Sequence, residues 1–175
     1  PRKLYAAPRL DAGAEAETQR HYQVLAALLA QSWPADGSEP LSPEEAGRRW
    51  AAAHTDPERA TTPPATTPGR WLAKVGDMVD QLEHWGYTPE LATSNGGRTV
   101  TIALHNCPFL ALARVRPDVV CGVHQGLIVG ALGSVGERDV RIEVRPFVEP
   151  TRCLVKVSTD TPFITTASAL EGEIR

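Results

Sequence analysis

Three cysteines, Cys107, Cys121 and Cys153, and one histidine, His124, are the residues whose types and placement could do the most specific chemistry. Cys121 and His124 are three apart in a stretch with helical periodicity, so they share a face, as two ligands on one helix must. Cys107 precedes Pro108 at what reads as the first turn of a helix, where amide donors and the helix dipole favour a thiolate. Cys153 alternates with Val155 and Val157 and so belongs to the apolar face of a strand. Three thiolates and one imidazole suit zinc; three thiolates with one other ligand also hold an iron–sulfur cluster, because soft sulfur donors select such centres. The intervals between the cysteines, 13 and 31 residues, are not the short C-x-x-C spacing of a zinc ribbon or redox dithiol. A shared site therefore has to be assembled by the fold. The plainer alternative is that each cysteine is a small buried hydrophobe, as free cysteines usually are.

His105-Asn106-Cys107-Pro108 admits two more readings, a cysteine–histidine catalytic pair and a cysteine–proline haem contact. His105 and Cys107 are two apart at a strand end, which makes their side chains lean the same way. A nucleophile also needs an orienting acid and an oxyanion pocket, and neither is visible. A thiol enzyme using Cys107 or Cys121 is therefore set aside, the chain is read as a non-enzyme, and His105 reads as a strand-end cap. No glycine-rich phosphate loop occurs. Asn95-Gly96-Gly97 has the context of a hairpin, and Gly126, Gly130 and Gly133 lie within or at the end of a helix, where they permit close packing. Trp33, Trp50, Trp71 and Trp85 read as core or dimer-interface anchors. His21, His54 and His84 have no cysteine or carboxylate at ligand spacing and are taken as surface or cap residues.

The 175 residues are 42% hydrophobic, with 18 Lys+Arg against 21 Asp+Glu and a net charge of −3. One sizeable core or two small ones can be buried by such a chain. No apolar run approaches the roughly 18 residues of a membrane helix, and the head lacks an export signal. The cytoplasm is the expected compartment, with the odd number of thiols reduced there. With Pro as its first residue, the sequence is expected to start inside a longer chain. Arg2, Lys3 and Arg9 make that head basic, in contrast to the body.

The elements that must position the thiols follow from periodicity. Tyr22, Leu25, Leu28, Leu29 and Trp33 predict a helix from about Glu15 to Trp33, ended by Pro34. Ser42-Pro43-Glu44-Glu45 carries a cap, a first-turn proline and a glutamate three after the cap, predicting a second helix to about His54. The Pro/Thr-rich loop 61–68 is expected to be a mobile surface connection. Leu72, Val75, Met78, Val79, Leu82 and Trp85 predict a third helix stopped by Gly86. Strands follow over Tyr87 to Ser94 and Arg98 to Leu104, then a short helix from Pro108 to about Arg116 and a longer one from Pro117 to about Gly133. Val140, Ile142 and Val144, and then Cys153, Val155 and Val157, mark two more strands around a Glu149-Pro150 turn. The fold class is α+β: a helical N-terminal connector, then a β-β-α-α-β-β unit whose antiparallel sheet is covered by helices.

Several segments carry a resemblance. The head, Pro1-Arg2-Lys3-Leu4-Tyr5, is similar to the end of a winged helix-turn-helix domain. Leu82 to Tyr87 with Pro89, Asn106-Cys107-Pro108-Phe109 with Leu112-Ala113 and Pro117, Val120-Cys121 with His124, and Pro146-Phe147 through Cys153 resemble the sensor domain of bacterial regulators of the ArsR/DeoR-like superfamily, notably its iron–sulfur-sensing, SufR-type repressors. The resemblance covers about residues 1–10 and 70–158. It implies an end of a DNA-binding domain over 1–10, a helical connector and dimerisation region over 11–68, an α+β sensor over 69–160 and a tail over 161–175. It further implies a transcription regulator that binds DNA as a homodimer through a winged helix preceding Pro1. Its redox-sensing [4Fe–4S] cluster would be held by Cys107, Cys121 and Cys153, with His124, and behind it His105, as fourth ligand. The alternatives are a zinc-stabilised domain, and the same fold sensing an apolar small molecule between sheet and helices.

Overall fold

A computed structural model describes residues 12–32, 39–54 and 61–164. Its elements are α1 (Ala12–Gln31), α2 (Pro43–Ala53), α3 (Pro68–His84), β1 (Thr88–Ser94), β2 (Thr99–His105), α4 (Leu110–Val115), α5 (Pro117–Gly133), β3 (Val140–Glu149) and β4 (Arg152–Thr159). The fold is α+β, with one four-stranded sheet in the order β1-β2-β4-β3 and every pair antiparallel. The basic head, Trp33 and the tail beyond Ile164 lie outside the described residues. Among the described residues no helix is long and apolar enough to cross a membrane.

Strand alternation does what the pattern required. Val100, Ile102 and Leu104 of β2 and Val155 and Val157 of β4 point to one face, where Ile102 stands opposite Val155 and Leu104 opposite Cys153. That face is covered by Trp71, Val75, Met78 and Leu82 of α3 and by Ile128, Ala131 and Leu132 of α5. Each of the Val, Leu, Ile and Met side chains among them contributes about 1.5–3 kcal/mol by leaving water. The other face, with Arg141, Glu143, Arg145 and Lys156, stays exposed. Helices therefore cover the sheet on one side.

Helix α2 begins where its cap predicts: Pro43 occupies the first turn and Ser42 Oγ accepts the Glu45 amide at 3.1 Å. The Glu45 carboxylate does not turn back on the cap. It accepts from Arg48 and Arg49 instead, and these guanidinium groups, Arg48 foremost, hold its pKa down to about 2. Helix α2 packs on α5 backbone to backbone. A Cβ on Gly126 would collide with the Glu44 carbonyl, one on Gly47 with the Val123 carbonyl, and one on Gly130 would stand 2.5 Å from the Arg48 carbonyl. Gly133, read with them as a packing glycine, has nothing near it.

The Pro/Thr-rich segment is anchored, which corrects the expectation of a mobile connection. Ala65 is 2% exposed, and its amide donates to Glu137 Oε1 at 2.6 Å. Lys74 Nζ donates to the same oxygen and to the Pro63 carbonyl, each at 2.7 Å. The prolines remove donors, but the Ala65 amide and the Pro63 carbonyl still find partners, and Glu137 itself is 2% exposed. Glu137→Ala leaves Lys74 and the Ala65 amide without their shared acceptor and is expected to cost about 3 kcal/mol, read from urea unfolding. A loss below about 1 kcal/mol would contradict this role.

Candidate functional site

The three thiols reach one place from three different elements. Strand β2 ends at His105, and Asn106 takes a left-handed conformation (φ 56°) while its Nδ2 donates to Thr88 Oγ1 at 3.1 Å. This turn breaks the two-residue alternation and brings Cys107 to the Leu104 side of the sheet. Cys121 and His124 lie one turn apart on α5, and Cys153 stands opposite Leu104 on β4. Near Cys153, β3 slips register between Arg145 and Glu149, with Phe147 at φ 54°. The Phe147 amide there donates to Cys153 Sγ at 3.5 Å. Arg114 Nη2 ties α4 to the same hairpin through the Pro150 carbonyl at 3.0 Å.

Cys107, Cys121, Cys153 and His124 thus line one small cavity, of about 20 Å³, with Tyr87 as its fifth polar wall. Tyr87 reaches it through the end of α3. Gly86 (φ 88°) closes the helix, with its amide on the Glu83 carbonyl at 2.9 Å and the Tyr87 amide on the Leu82 carbonyl at 3.1 Å. The Tyr87 ring then stacks on His124, with centroids 4.6 Å apart and planes 10° apart. The Cys107 thiol donates to its hydroxyl at 3.9 Å. Sequence reasoning passed over Tyr87 as the start of a strand. Its signal was there: an aromatic directly after the glycine stop of a buried helix.

His105 does not join them, which corrects its place as reserve ligand. The left-handed turn at Asn106 separates the two, and His105 lies beside β1 with Nε2 3.6 Å from Glu90 Oε2. His21, expected at the surface, is 7% exposed, with its Nε2 3.4 Å from the His84 carbonyl. His54 does cap its helix, its Nδ1 2.8 Å from the Trp50 carbonyl. Trp71 is a core residue, whereas Trp50 and Trp85 meet edge to face at 5.8 Å.

Burial sets the electrostatics. It pushes the Cys121 thiol up to about 11, helped by the neighbouring Cys153, Cys107 and Asp118. It also raises Cys107, against the pull of the Phe109 amide and the Tyr87 hydroxyl. The helix-start thiolate expected at Cys107 is therefore not favoured: α4 begins at Leu110, beyond it, and desolvation outweighs the donors. His124 is lowered to about 4 by burial, so it is a neutral imidazole, and its Nε2 has no hydrogen-bond partner. Three soft sulfurs and a neutral, unpartnered ring nitrogen around one cavity fit the donor chemistry of a thiophilic metal centre. As they stand, among the described residues, no three His, Cys, Asp or Glu side chains are closed on a common metal position, and the cysteines are free. Binding requires the thiols to turn inward and shed protons.

No protein-family model matches the chain, and no curated protein matches it.

Two measurements check these environments in the metal-free protein. At pH 8 a thiol at about 11 has roughly 100-fold less thiolate than an ordinary one near 9. Its greater basicity restores about tenfold in reactivity, so Cys121 should react with iodoacetamide about tenfold more slowly than a free thiol. The rate should climb past pH 10, and a plateau near pH 9 would be inconsistent with this. For His124, the folded pKa lies below the ordinary 6.5, so the unfolded chain binds more protons between pH 6.5 and 4. Stability present above pH 6.5 is lost as the pH falls through that window, by up to about 3 kcal/mol. His124→Phe should remove about one proton from that pH slope in urea titrations, and an unchanged slope would refute the assignment.

Proposed function

We propose that this chain is the sensor and dimerisation part of a DNA-binding transcription regulator whose Cys107, Cys121 and Cys153 hold a [4Fe–4S] cluster with His124 as fourth ligand. The observation that supports the metal centre most is the convergence of three thiols and an unpartnered buried imidazole on one cavity. The regulator reading rests on the resemblance set out above: DNA-reading helices ahead of Pro1, a homodimer, a cytoplasmic setting, and no turnover. When bound, such a cluster would supply redox-sensitive chemistry at these residues.

The chain's own residues do the rest. Cys121 and His124 place two donors on α5, Cys107 anchors the turn after β2, and Cys153 anchors β4. Tyr87 keeps water from His124 on one side and directs its hydroxyl to Cys107 on the other. The Phe147 and Phe109 amides point at Cys153 and Cys107, where hydrogen bonds stabilise negative charge on sulfur. Drawing the thiols together shifts α5 against β4, and α1, packed on Val123 and Leu127 through Leu25 and Leu28, transmits that shift toward the N-terminal head.

A second reading keeps these donors and takes a single zinc ion, which the small cavity favours. Purification without oxygen, with iron, sulfide and zinc assayed, separates the two. The proposal expects about four iron and four sulfide per chain, lost when all three cysteines become serine, and a DNA affinity that differs between loaded and metal-free full-length protein. One zinc per chain would establish the second reading. A folded, metal-free protein indifferent to Cys→Ser changes would overturn both.

A further inference from the structure

A second cavity, of about 30 Å³, lies beneath α1. Its walls are apolar: Val24, Leu25 and Leu28 from α1, Phe109 ahead of α4, and Val123 and Leu127 from α5. It shares Tyr87, Val120 and His124 with the thiol cavity, so the stacked Tyr87–His124 pair, with Val120, stands between the two spaces.

Size and polarity decide what such a space can hold. One water occupies about 10–15 Å³ on this measure, and a cavity that admits benzene about 150 Å³. The space below α1 therefore fits about two heavy atoms and excludes a ring. Water needs two to four polar partners to stay in a cavity. Here the Tyr87 hydroxyl is engaged by Cys107, and His21 Nε2 lies by the His84 carbonyl. Among the fully buried side-chain polar atoms of its described lining residues, His124 Nε2 alone lacks a partner, and one such group is too few to retain a water molecule.

We propose that this cavity binds a small uncharged gas molecule of the size of dioxygen or nitric oxide and holds it against the Tyr87–His124 partition. Dispersion contact with the aliphatic walls and the absence of competing water supply the binding. Occupancy requires no metal. That the gas is delivered to the thiol site rests on the metal-centre reading above.

Xenon, an apolar atom of similar bulk, is the probe. Titrated under pressure into the metal-free protein, it should give saturable methyl shifts at Leu25, Leu28, Val123 and Leu127. Val24→Phe, at the half-buried rim, should abolish them, and Leu28→Ala, which enlarges the space, should raise xenon affinity several-fold. If Leu28→Ala does not fold, Val24→Phe alone decides. Shifts that stay linear with pressure, or that persist in Val24→Phe, overturn the proposal. The triple Cys→Ser variant should bind xenon as the parent does, so failure of the metal reading leaves this result standing. In the metal-loaded protein, Val24→Phe should slow oxidation by air several-fold and leave oxidation by ferricyanide, a charged ion too large for the cavity, unchanged. Equal rates in air would overturn delivery.

Discussion

The backbone contact between α2 and α5 governs the geometry of everything around it. Gly122, Gly126 and Gly130 repeat every fourth residue along α5, and Gly47 and Ala51 answer them from α2. With carbonyls seated where side chains would be, α5 cannot rotate or slide against α2 without backbone collision, so the two helices move as one unit. On its other sides Ile128 and Leu132 enter the sheet core, while Val123 and Leu127 meet α1. Cys121 and His124 sit among these constrained positions, so their direction is set by packing on every side and not by their own contacts.

The same packing buries much of the thiol cavity, and this desolvation biases its charge state. Tyr87, Cys107 and Cys121 are all pushed toward their neutral protonated forms and His124 toward its neutral deprotonated one. In the absence of a cation, this cluster of four titratable groups carries no charge near neutral pH. A bound cation reverses that balance, because it stabilises the thiolates that burial disfavours. The exposed pairs elsewhere, such as Arg116 with Asp118 or Arg141 with Asp160, have water to screen them and no comparable leverage.

Much of this was readable from residue order. Val100-Thr101-Ile102 and Val155-Lys156-Val157 alternate cleanly because one sheet face is buried, and Ser42-Pro43 and Gly86 mark helix ends with local chemistry that tertiary structure had no reason to override. The grouping of the cysteines was legible as a possibility from the face shared by Cys121 and His124. What escaped was tertiary. A single left-handed residue, Asn106, sends His105 and Cys107 to different sides of the sheet, which a two-residue count cannot foresee. The segment around Ala65 has the composition of a loose linker, but its amide meets a carboxylate 72 positions later. Tyr87 becomes part of the site only through a ring on another helix.

Strand order adds a kinetic consequence. β2 and β4 are neighbours although α4, α5 and β3 intervene, so pairing Leu104 with Cys153 closes a long loop. The two flanking hairpins, β1–β2 and β3–β4, can form early from local contacts, whereas the central pairing must wait for a costly chain closure. Cys107 belongs to one hairpin's end and Cys153 to the other, with Cys121 on the helix between them. The three sulfurs therefore meet only once the central strands have paired. A nascent or partly unfolded chain presents scattered thiols, and only the completed fold offers them together.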